Sequence, residues 1–291
     1  MITFSIIVPT YGRPESLAEL MASLACLEYP LSQFEVIVVD DGGKVPVQGV
    51  ISDFKGRLNT LLLRQPNSGP GAARNRGAQE AKGRFLVFTD DDCRPERFWL
   101  RALSDALSGS ERVVCGGKAV NGLPGNIYSE ATQLLADYLL KHYSPADIYG
   151  GFFPSNNLAL SKTAFWEAGG FDPTLRFGED RDFCCRCASL GYSFVLAHHA
   201  IVRHAHALTL RSFLRLHYCY GGGTFHFRRG CGAKGLPRVR ISPPSWYARL
   251  VLTGMREHRS LLGAKLMFLL MASQAAVGAA MIRGWLGKGA K

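Results

Sequence analysis

Three consecutive carboxylates follow a short apolar run in the first third of the sequence. The run Phe85–Phe88 predicts a buried strand, and Asp90, Asp91 and Asp92 follow it after one intervening residue. Three like charges at the end of a strand repel one another unless a cation lies among them. Mg²⁺ is commonly held by one or two carboxylates together with substrate phosphates. The triplet therefore indicates a metal–phosphate site, although an isolated triplet would favour the alternative, a solvated acidic turn.

A second pair of acids follows another predicted strand. Residues 35–39 (E-V-I-V-V) have the composition of a buried strand, and Asp40 and Asp41 come next. In open α/β sheets, ligands bind beyond the carboxyl ends of parallel strands, which lie at one edge of the sheet. We therefore expect both groups of acids to converge on one ligand. This convergence favours a site over two unrelated turns.

The elements that must position these acids alternate between strand and helix. Apolar runs predict strands at residues 5–9, 35–39, 59–64, 85–88, 113–116, 158–160 and 192–197. Helical spacings of apolar residues occur between the first four of them, at 13–27, 50–54 and 72–81. This alternation predicts an α/β fold with a Rossmann-like, doubly wound and mainly parallel sheet.

The charge of the chain is concentrated at one end. The net charge is +11, yet residues 1–200 carry 19 Lys and Arg against 22 Asp and Glu, and residues 201–291 carry 15 against one. We expect a near-neutral body and a basic appendage that meets an anionic surface. No basic leader precedes the first apolar run, so the eight cysteines are expected in a reducing, cytoplasmic compartment.

Six segments carry a more specific signal because they occur in one order. They are S-I-I-V-P-T-Y-G-R-P (5–14), E-V-I-V-V-D-D-G (35–42), G-P-G-A-A-R-N-R-G-A (69–78), A-K-G-R-F-L-V-F-T-D-D-D (81–92), S-N-N-L-A-L (155–160) and G-G-F-D-P-T-L-R-F-G-E-D-R-D (169–182). In this order they resemble the family 2 glycosyltransferases, which are inverting sugar transferases with the GT-A fold. The resemblance covers roughly residues 4–206.

The resemblance implies a site for a nucleoside diphosphate sugar. The donor-binding residues that it implies are Pro9, Thr10, Tyr11, Arg13, Asp41, Arg74, Asp90 and Asp91. Asp41 would contact the base, since a carboxylate accepts from a ring N–H of uracil or guanine; alternatively, it only shapes its turn. Arg74, at a helix start, suits a phosphate. Its alternative partners are Glu80 or an acid at the sheet edge.

The resemblance also implies a metal ion and a general base. Asp92, Asp90 and His204 would hold Mn²⁺ or Mg²⁺, which stabilises the charge on the leaving diphosphate. An ordinary surface histidine is the alternative for His204. Asp180 would take the proton of the acceptor hydroxyl, with capping of a helix N-terminus as its alternative.

The last part of the chain is expected to form an appendage. Residues 1–225 would be the GT-A catalytic domain, with a nucleotide-sugar half at about 1–117 and an acceptor half at about 118–225. Residues 226–291 would form a basic linker and an apolar C-terminal helix. Its 17 uncharged residues, 266–282, lie at the lower limit for crossing a bilayer. We expect this helix to pack on the protein or lie on an anionic membrane rather than span it.

The resemblance, together with the charge distribution, implies a metal-dependent, inverting glycosyltransferase at the inner face of the cell membrane. It would move a sugar, most readily from a UDP-sugar, to a glycolipid or saccharide hydroxyl in glycolipid, exopolysaccharide or cell-envelope synthesis. The absence of a Q-x-x-R-W motif favours non-processive transfer. The alternatives are a nucleotidyltransferase on the same scaffold and a membrane-bound sugar-nucleotide scaffold without turnover. Nucleic acid is not an expected partner, because no binding module accompanies the charge.

Overall fold

A computed structural model describes residues 2–142, 152–233, 242–258 and 260–287, without the side chains of residues 231–233. Within these ranges the strands are β1 (Phe4–Thr10), β2 (Phe34–Asp40), β3 (Thr60–Arg64), β4 (Phe85–Phe88), β5 (Cys93–Pro95), β6 (Val113–Asn121), β7 (Leu158–Ser161) and β8 (Ser193–His204). The helices are α1 (Pro14–Leu24), α2 (Gln48–Asp53), α3 (Pro70–Glu80), α4 (Trp99–Leu107), α5 (Ile127–His142), α6 (Lys162–Glu167), α7 (Glu179–Ser189), α8 (Leu210–Ala233), α9 (Pro244–Glu257) and α10 (Leu261–Leu286).

The strands form one sheet in the order β3-β2-β1-β4-β7-β6-β8-β5. The first four strands are mutually parallel, β7 is antiparallel to both of its neighbours, and β6 is parallel to β8. Thr10 at the end of β1 pairs with Asp40 at the end of β2. The carboxyl ends of β1, β2 and β4 therefore lie at the same edge of the sheet, as the sequence predicts.

The central strands are buried on both faces. Every residue of β1, β2 and β4 is buried, which explains their continuous apolar composition. Helix α1 covers one face with Leu17, Leu20, Met21 and Leu24, all fully buried. A buried leucine contributes about 1.5–3 kcal/mol relative to an exposed one. This packing holds the strand ends, and the acids that follow them, in fixed positions.

Three strands of the sheet differ from the sequence prediction: β6 continues to Asn121, past the predicted end at residue 116, and β5 and β8 differ as well. Strand β5 was not predicted, because three residues ending in a proline give no periodic signal; it pairs antiparallel with β8. Strand β8 continues to His204, well past the predicted end at residue 197. Its pairing with β6, which has a register shift at Gly117/Lys118, sustains this length. The α/β fold with a mainly parallel sheet is confirmed.

The chain divides into two compact units. The first contains Met1–Gly122 and Phe153–Ala205, and the second contains Leu123–Phe152 and His206–Lys291. The sheet belongs to the first unit, and helices α5, α8, α9 and α10 belong to the second. The division at residue 225 into a catalytic domain and an appendage stays a prediction.

The segment predicted as a linker after residue 226 is partly helical. Residues 226–233 continue α8 and residues 244–257 form α9, while residues 234–241 lie outside the described residues. Helix α8 was missed because glycines 221–223 signal a break. Packing against α10 overrides that signal: a Cβ at Gly221 would lie 2.4 Å from the Val277 carbonyl oxygen. Glycine is therefore required where the two helices approach closely.

The second unit has its own apolar core. Leu208 and Phe213 pack with Leu266 and Leu269 of α10 and with Ala131 of α5. Among the described helices, α10 has the length and composition to cross a membrane. Several of its residues, including Leu266 and Leu270, are nonetheless buried against protein.

Candidate active site

The acid triplet after β4 divides into three environments, the first of which is that of Asp91. This side chain is fully buried and accepts a hydrogen bond from Thr10 Oγ1 at 2.7 Å and one from Arg13 Nε at 3.2 Å. Burial raises the pKa of Asp91 to about 6, although the charge of Arg13 opposes this shift. The residues on either side of Thr10 are also predicted to bind the donor. Pro9 is buried in β1, and Tyr11 is 53% exposed.

Arg13 connects Asp91 to Asp92. Its Nη1 lies 3.0 Å from Asp92 Oδ2, and half of the Arg13 side chain remains exposed. Burial of the guanidinium lowers the Arg13 pKa, but the charges of Asp91 and Asp92 outweigh this effect and raise it. One arginine therefore offsets the repulsion between two adjacent carboxylates.

Asp90 points to a different partner. The buried Arg74 of α3 donates from Nη2 to Asp90 at 2.7 Å and from Nη1 to Glu179 at 2.8 Å. Burial lowers the Arg74 pKa, yet the charges of Asp90 and Glu179 more than compensate and raise it. The sequence left open a pairing of Arg74 with a sheet-edge acid, and the structure shows that pairing. A contact of Arg74 with donor phosphate stays a prediction.

Asp180 follows Glu179 in the first turn of α7. Gly178 precedes the helix with φ of 80°, a left-handed conformation that suits glycine. Asp180 accepts from the backbone N–H of Arg181 at 2.7 Å and, more weakly, of Ser155 at 3.4 Å. Burial raises the pKa of Asp180. A carboxylate with a raised pKa is a better proton acceptor, which suits a general base, although its bond to a first-turn N–H also fits the capping alternative.

Sequence reasoning missed Asn75, which holds the loop before α7. Its Nδ2 donates to the Phe171 carbonyl at 2.7 Å, and its Oδ1 accepts from the Phe171 N–H at 2.9 Å. Asn75 lies beside Arg74 in the segment 69–78, so both side chains of α3 contact the region around α7. Their adjacency in that segment was the available signal.

The pair Asp40 and Asp41 shapes the end of β2. Asp40 Oδ1 accepts from the Gly43 N–H at 2.8 Å. Asp41 accepts from the N–H groups of Ser68 and Gly69, both at 2.9 Å. The turn-shaping alternative is therefore present in the structure. A contact between Asp41 and a nucleotide base stays a prediction.

His204, the last residue of β8, lies next to Asp92. Its Nε2 lies 3.2 Å from Asp92 Oδ1, and the Asp92 carbonyl accepts from the Ala205 N–H at 2.8 Å. Burial lowers the pKa of His204, but the hydrogen bond and charge of Asp92 raise it above the ordinary value. The pairing of β5 with β8 brings these residues together from positions more than 100 apart in the sequence.

The residues around Asp92 fit a divalent cation. Ligand atoms of Asp92, Cys93 and His204 lie within 4.8 Å of one another. Burial raises the Cys93 pKa well above its usual range, so the thiol stays protonated and is a poor ligand for Mg²⁺ or Mn²⁺. Asp92 and His204 remain as an oxygen and a nitrogen donor. Asp90, predicted as a second carboxylate ligand, is not in this group and pairs with Arg74, so its role as a ligand stays a prediction.

Comparison with known proteins matches this architecture. A parallel sheet that continues into antiparallel strands, with acids at its carboxyl edge, defines a GT-A type of fold. The model of "Glycosyl transferase family 2" matches residues 5–171, and that of "Glycosyl transferase family group 2" matches residues 119–285. The chain therefore belongs to the family 2 glycosyltransferases.

Two relatives are similar in sequence to part of this chain. A pre-mycofactocin glycosyltransferase of Mycobacterium tuberculosis is 30% identical over 224 residues, which cover 75% of this chain and 46% of that protein. Glycosyltransferase AglE of Haloferax volcanii is 28% identical over 204 residues, 69% of this chain and 66% of AglE. This chain thus spans about half the length of the mycobacterial relative.

Solved structures share the fold. The mannosyltransferase PcManGT from Pyrobaculum calidifontis, in complex with GDP-Man and Mn²⁺, has a TM-score of 0.64 and 17% identity over 99% of this chain and 79% of its own. Staphylococcus aureus TarS 1–349 in complex with UDP-GlcNAc has a TM-score of 0.57 and 20% identity, covering 96% and 89% of the two chains.

Proposed function

We propose that this protein is an inverting glycosyltransferase that moves a sugar from a nucleoside diphosphate sugar to an acceptor hydroxyl. The observation that carries the proposal is the bridge made by Arg74. Arg74 joins Asp90 of the acid triplet to Glu179, the neighbour of Asp180 in α7, and all of these residues belong to the first unit. A group for proton transfer and a group for diphosphate binding are thereby held on separate, rigid elements.

Each residue has a defined task in this reaction. Asp180 accepts the proton of the acceptor hydroxyl while that oxygen bonds to the anomeric carbon and the bond to the diphosphate breaks. Asp92 and His204 would hold Mn²⁺ or Mg²⁺, which supplies Lewis-acid stabilisation of the leaving diphosphate. Arg13 pairs with Asp91 and Asp92, and the exposed half of its side chain would contact a donor phosphate.

The donor is proposed to be a UDP-sugar. Asp41 directly follows β2 and donates its backbone N–H to the Thr10 carbonyl at 2.9 Å, and the Thr10 hydroxyl contacts Asp91. The base would lie near Asp41, and the ribose or sugar near Asp91. TarS was solved in complex with UDP-GlcNAc and PcManGT with GDP-Man, so proteins with this fold accept two different bases. A UDP-sugar is the first donor to test, and a GDP-sugar the second.

The acceptor is proposed to be a glycolipid or saccharide of the cell envelope or an exopolysaccharide, with one or a few sugars added. The protein would work in the cytoplasm, in peripheral contact with an anionic membrane at its inner face. The basic charge of residues 201–291 supports this location, since anionic leaflets attract such segments.

The substitution Asp180→Asn separates donor binding from chemistry. With Mn²⁺ present, we expect the variant to keep the thermal shift caused by a UDP-sugar and to lose transfer by at least 100-fold, because proton transfer contributes about 10²–10⁴ in rate. Glu80 is exposed, so Glu80→Gln is the matched control and should retain both donor binding and transfer.

Three results would change the proposal. Loss of donor binding in Asp180→Asn would show that Asp180 is not the base. Donor binding without turnover in any acceptor mixture would favour the scaffold alternative. Pyrophosphate release from a nucleoside triphosphate would favour the nucleotidyltransferase.

A further inference from the structure

A cleft of about 400 Å³ lies between α8 and α10, within the second unit. Tyr218, Phe225 and Arg229 line it from α8 at positions i, i+7 and i+11, which share one helix face. Arg283 and Gly284 line it from α10. The cleft is open to solvent, so it is a surface groove rather than an enclosed pocket.

A glycine keeps the two walls of this cleft close together. A Cβ at Gly284 would lie 2.7 Å from the ring of Phe225, so a larger residue would displace the aromatic wall. On the same face, Arg283 Nη1 lies 3.3 Å from the Tyr218 hydroxyl, which places one guanidinium at the rim. The cleft is therefore lined by the aromatic side chains of Tyr218 and Phe225 and has the guanidinium of Arg283 at its rim.

The charge of the cleft is entirely basic. Arg229 and Arg283 are exposed, and the described lining residues include no Asp or Glu. Helices α8 and α10 as a whole contain no acidic residue in their sequences. Two guanidinium groups that line one cleft, with no carboxylate among its described lining residues, suit an oxyanion, and arginine is especially suited to phosphate.

The surface beside the guanidinium of Arg283 is apolar. Ile282, Trp285 and Leu286 are 60%, 70% and 61% exposed, and Phe268 extends the exposed stripe along α10 at 68%. Contiguous exposed apolar residues mark interaction surfaces, and tryptophan favours the boundary between lipid and water. A soluble phosphate would use the arginines and leave these side chains in water.

We propose that the cleft between α8 and α10 binds the phosphodiester headgroup of an anionic phospholipid. The acyl chains lie against Ile282, Trp285 and Leu286, while Arg229 and Arg283 contact the phosphate. The inference deepens the proposed function, on whose membrane location it rests. It assigns membrane contact to one lipid-binding site rather than to the basic charge in general.

The test compares two double variants of equal charge. Arg229→Gln/Arg283→Gln alters the cleft, and Arg211→Gln/Arg215→Gln removes two exposed arginines from α8 that do not line it. Partition of the full chain is measured by flotation with vesicles of phosphatidylcholine alone or with about 30% phosphatidylglycerol. We expect the cleft variant to lose at least tenfold on the anionic vesicles, and the control less than threefold.

A second readout reports on the apolar side of the site. Trp285 fluorescence should shift to shorter wavelength when anionic vesicles are added, and Trp285→Phe should remove most of that shift. Thermal unfolding of all variants without vesicles checks that they fold.

Defined outcomes overturn the inference. Equal losses in the two double variants would mean that charge acts diffusely, and absence of wild-type binding to anionic vesicles would remove the lipid altogether. Calorimetric binding of sn-glycerol 3-phosphate as tight as that of vesicles would identify a soluble ligand. Donor hydrolysis without vesicles, measured separately, should be unchanged in the cleft variant, so a failure of the proposed reaction is distinguishable from a failure of the lipid site.

Discussion

Arg74 is the residue on which the geometry of the candidate site depends most directly. It is buried, and its guanidinium pairs with two carboxylates that belong to different elements. Removing one partner from such a buried network leaves charges without compensation, which costs far more than losing an exposed pair.

We therefore expect Arg74→Ala to lower the free energy of unfolding by about 3–5 kcal/mol, as measured by urea denaturation. Arg76→Ala is the matched control on the same helix. Arg76 pairs with Glu80 at 3.4 Å, but both side chains are more than two-fifths exposed. Its loss should cost about 0.3–0.5 kcal/mol. Similar losses in the two variants would contradict the buried network.

His217 makes stability depend on pH. It is 1% exposed and packs with its ring 4.4 Å from that of Phe213. Neither ring nitrogen has a hydrogen-bond partner among the described residues. Burial lowers the pKa of His217 to about 4, with a further contribution from the charge of His206.

The sign of the pH effect follows from this lowered pKa. Between about pH 6.5 and pH 4 the unfolded chain binds a proton at His217 that the folded protein does not bind. The free energy of unfolding is therefore highest above about pH 6.5 and decreases as the pH falls to 4. We expect the wild type to lose about 3 kcal/mol more than His217→Phe between about pH 7.5 and pH 4, in urea denaturation at each pH. Parallel pH profiles for the two proteins would contradict this origin.

At the scale of elements, the packing of α8 against α10 explains why a glycine-rich segment is helical. Gly221 lies at the close approach, whereas a Cβ at the adjacent Gly222 would meet no atom within 4 Å. The two positions therefore form a natural pair for comparison.

Gly221→Ala should destabilise the second unit by about 1–3 kcal/mol, because the new methyl group overlaps the backbone of Val277. Gly222→Ala should stabilise it by up to about 1 kcal/mol, since alanine is the better helix former. Thermal unfolding followed by circular dichroism measures both changes. If Gly221→Ala were also stabilising, the close approach of α8 and α10 would be refuted.

At the scale of the whole molecule, sequence patterns predicted what depends on local composition. The fully buried strands β1, β2 and β4 were predicted to within a residue or two, because a continuous apolar run is a local signal. Strand β5 and helix α8 were not, because distant partners stabilise them. The same distinction applies to the candidate site. The grouping of acids at one sheet edge followed from topology, whereas the pairing of Arg74 with Glu179 and the loop contacts of Asn75 depend on residues about 100 positions away.

The position of β8 has a consequence for the order in which the protein acquires its structure during synthesis. Strand β8 is the last strand in the described sequence, yet it lies between β6 and β5. Until residue 205 has left the ribosome, β5 has no strand partner, and the carbonyl of Asp92 lacks its bond from the Ala205 N–H. The nascent chain therefore carries the acid triplet for more than 100 residues before His204 reaches it. The contact between His204 and Asp92 therefore forms only after the other strands of the sheet have been synthesised, and before α8, α9 and α10 are made.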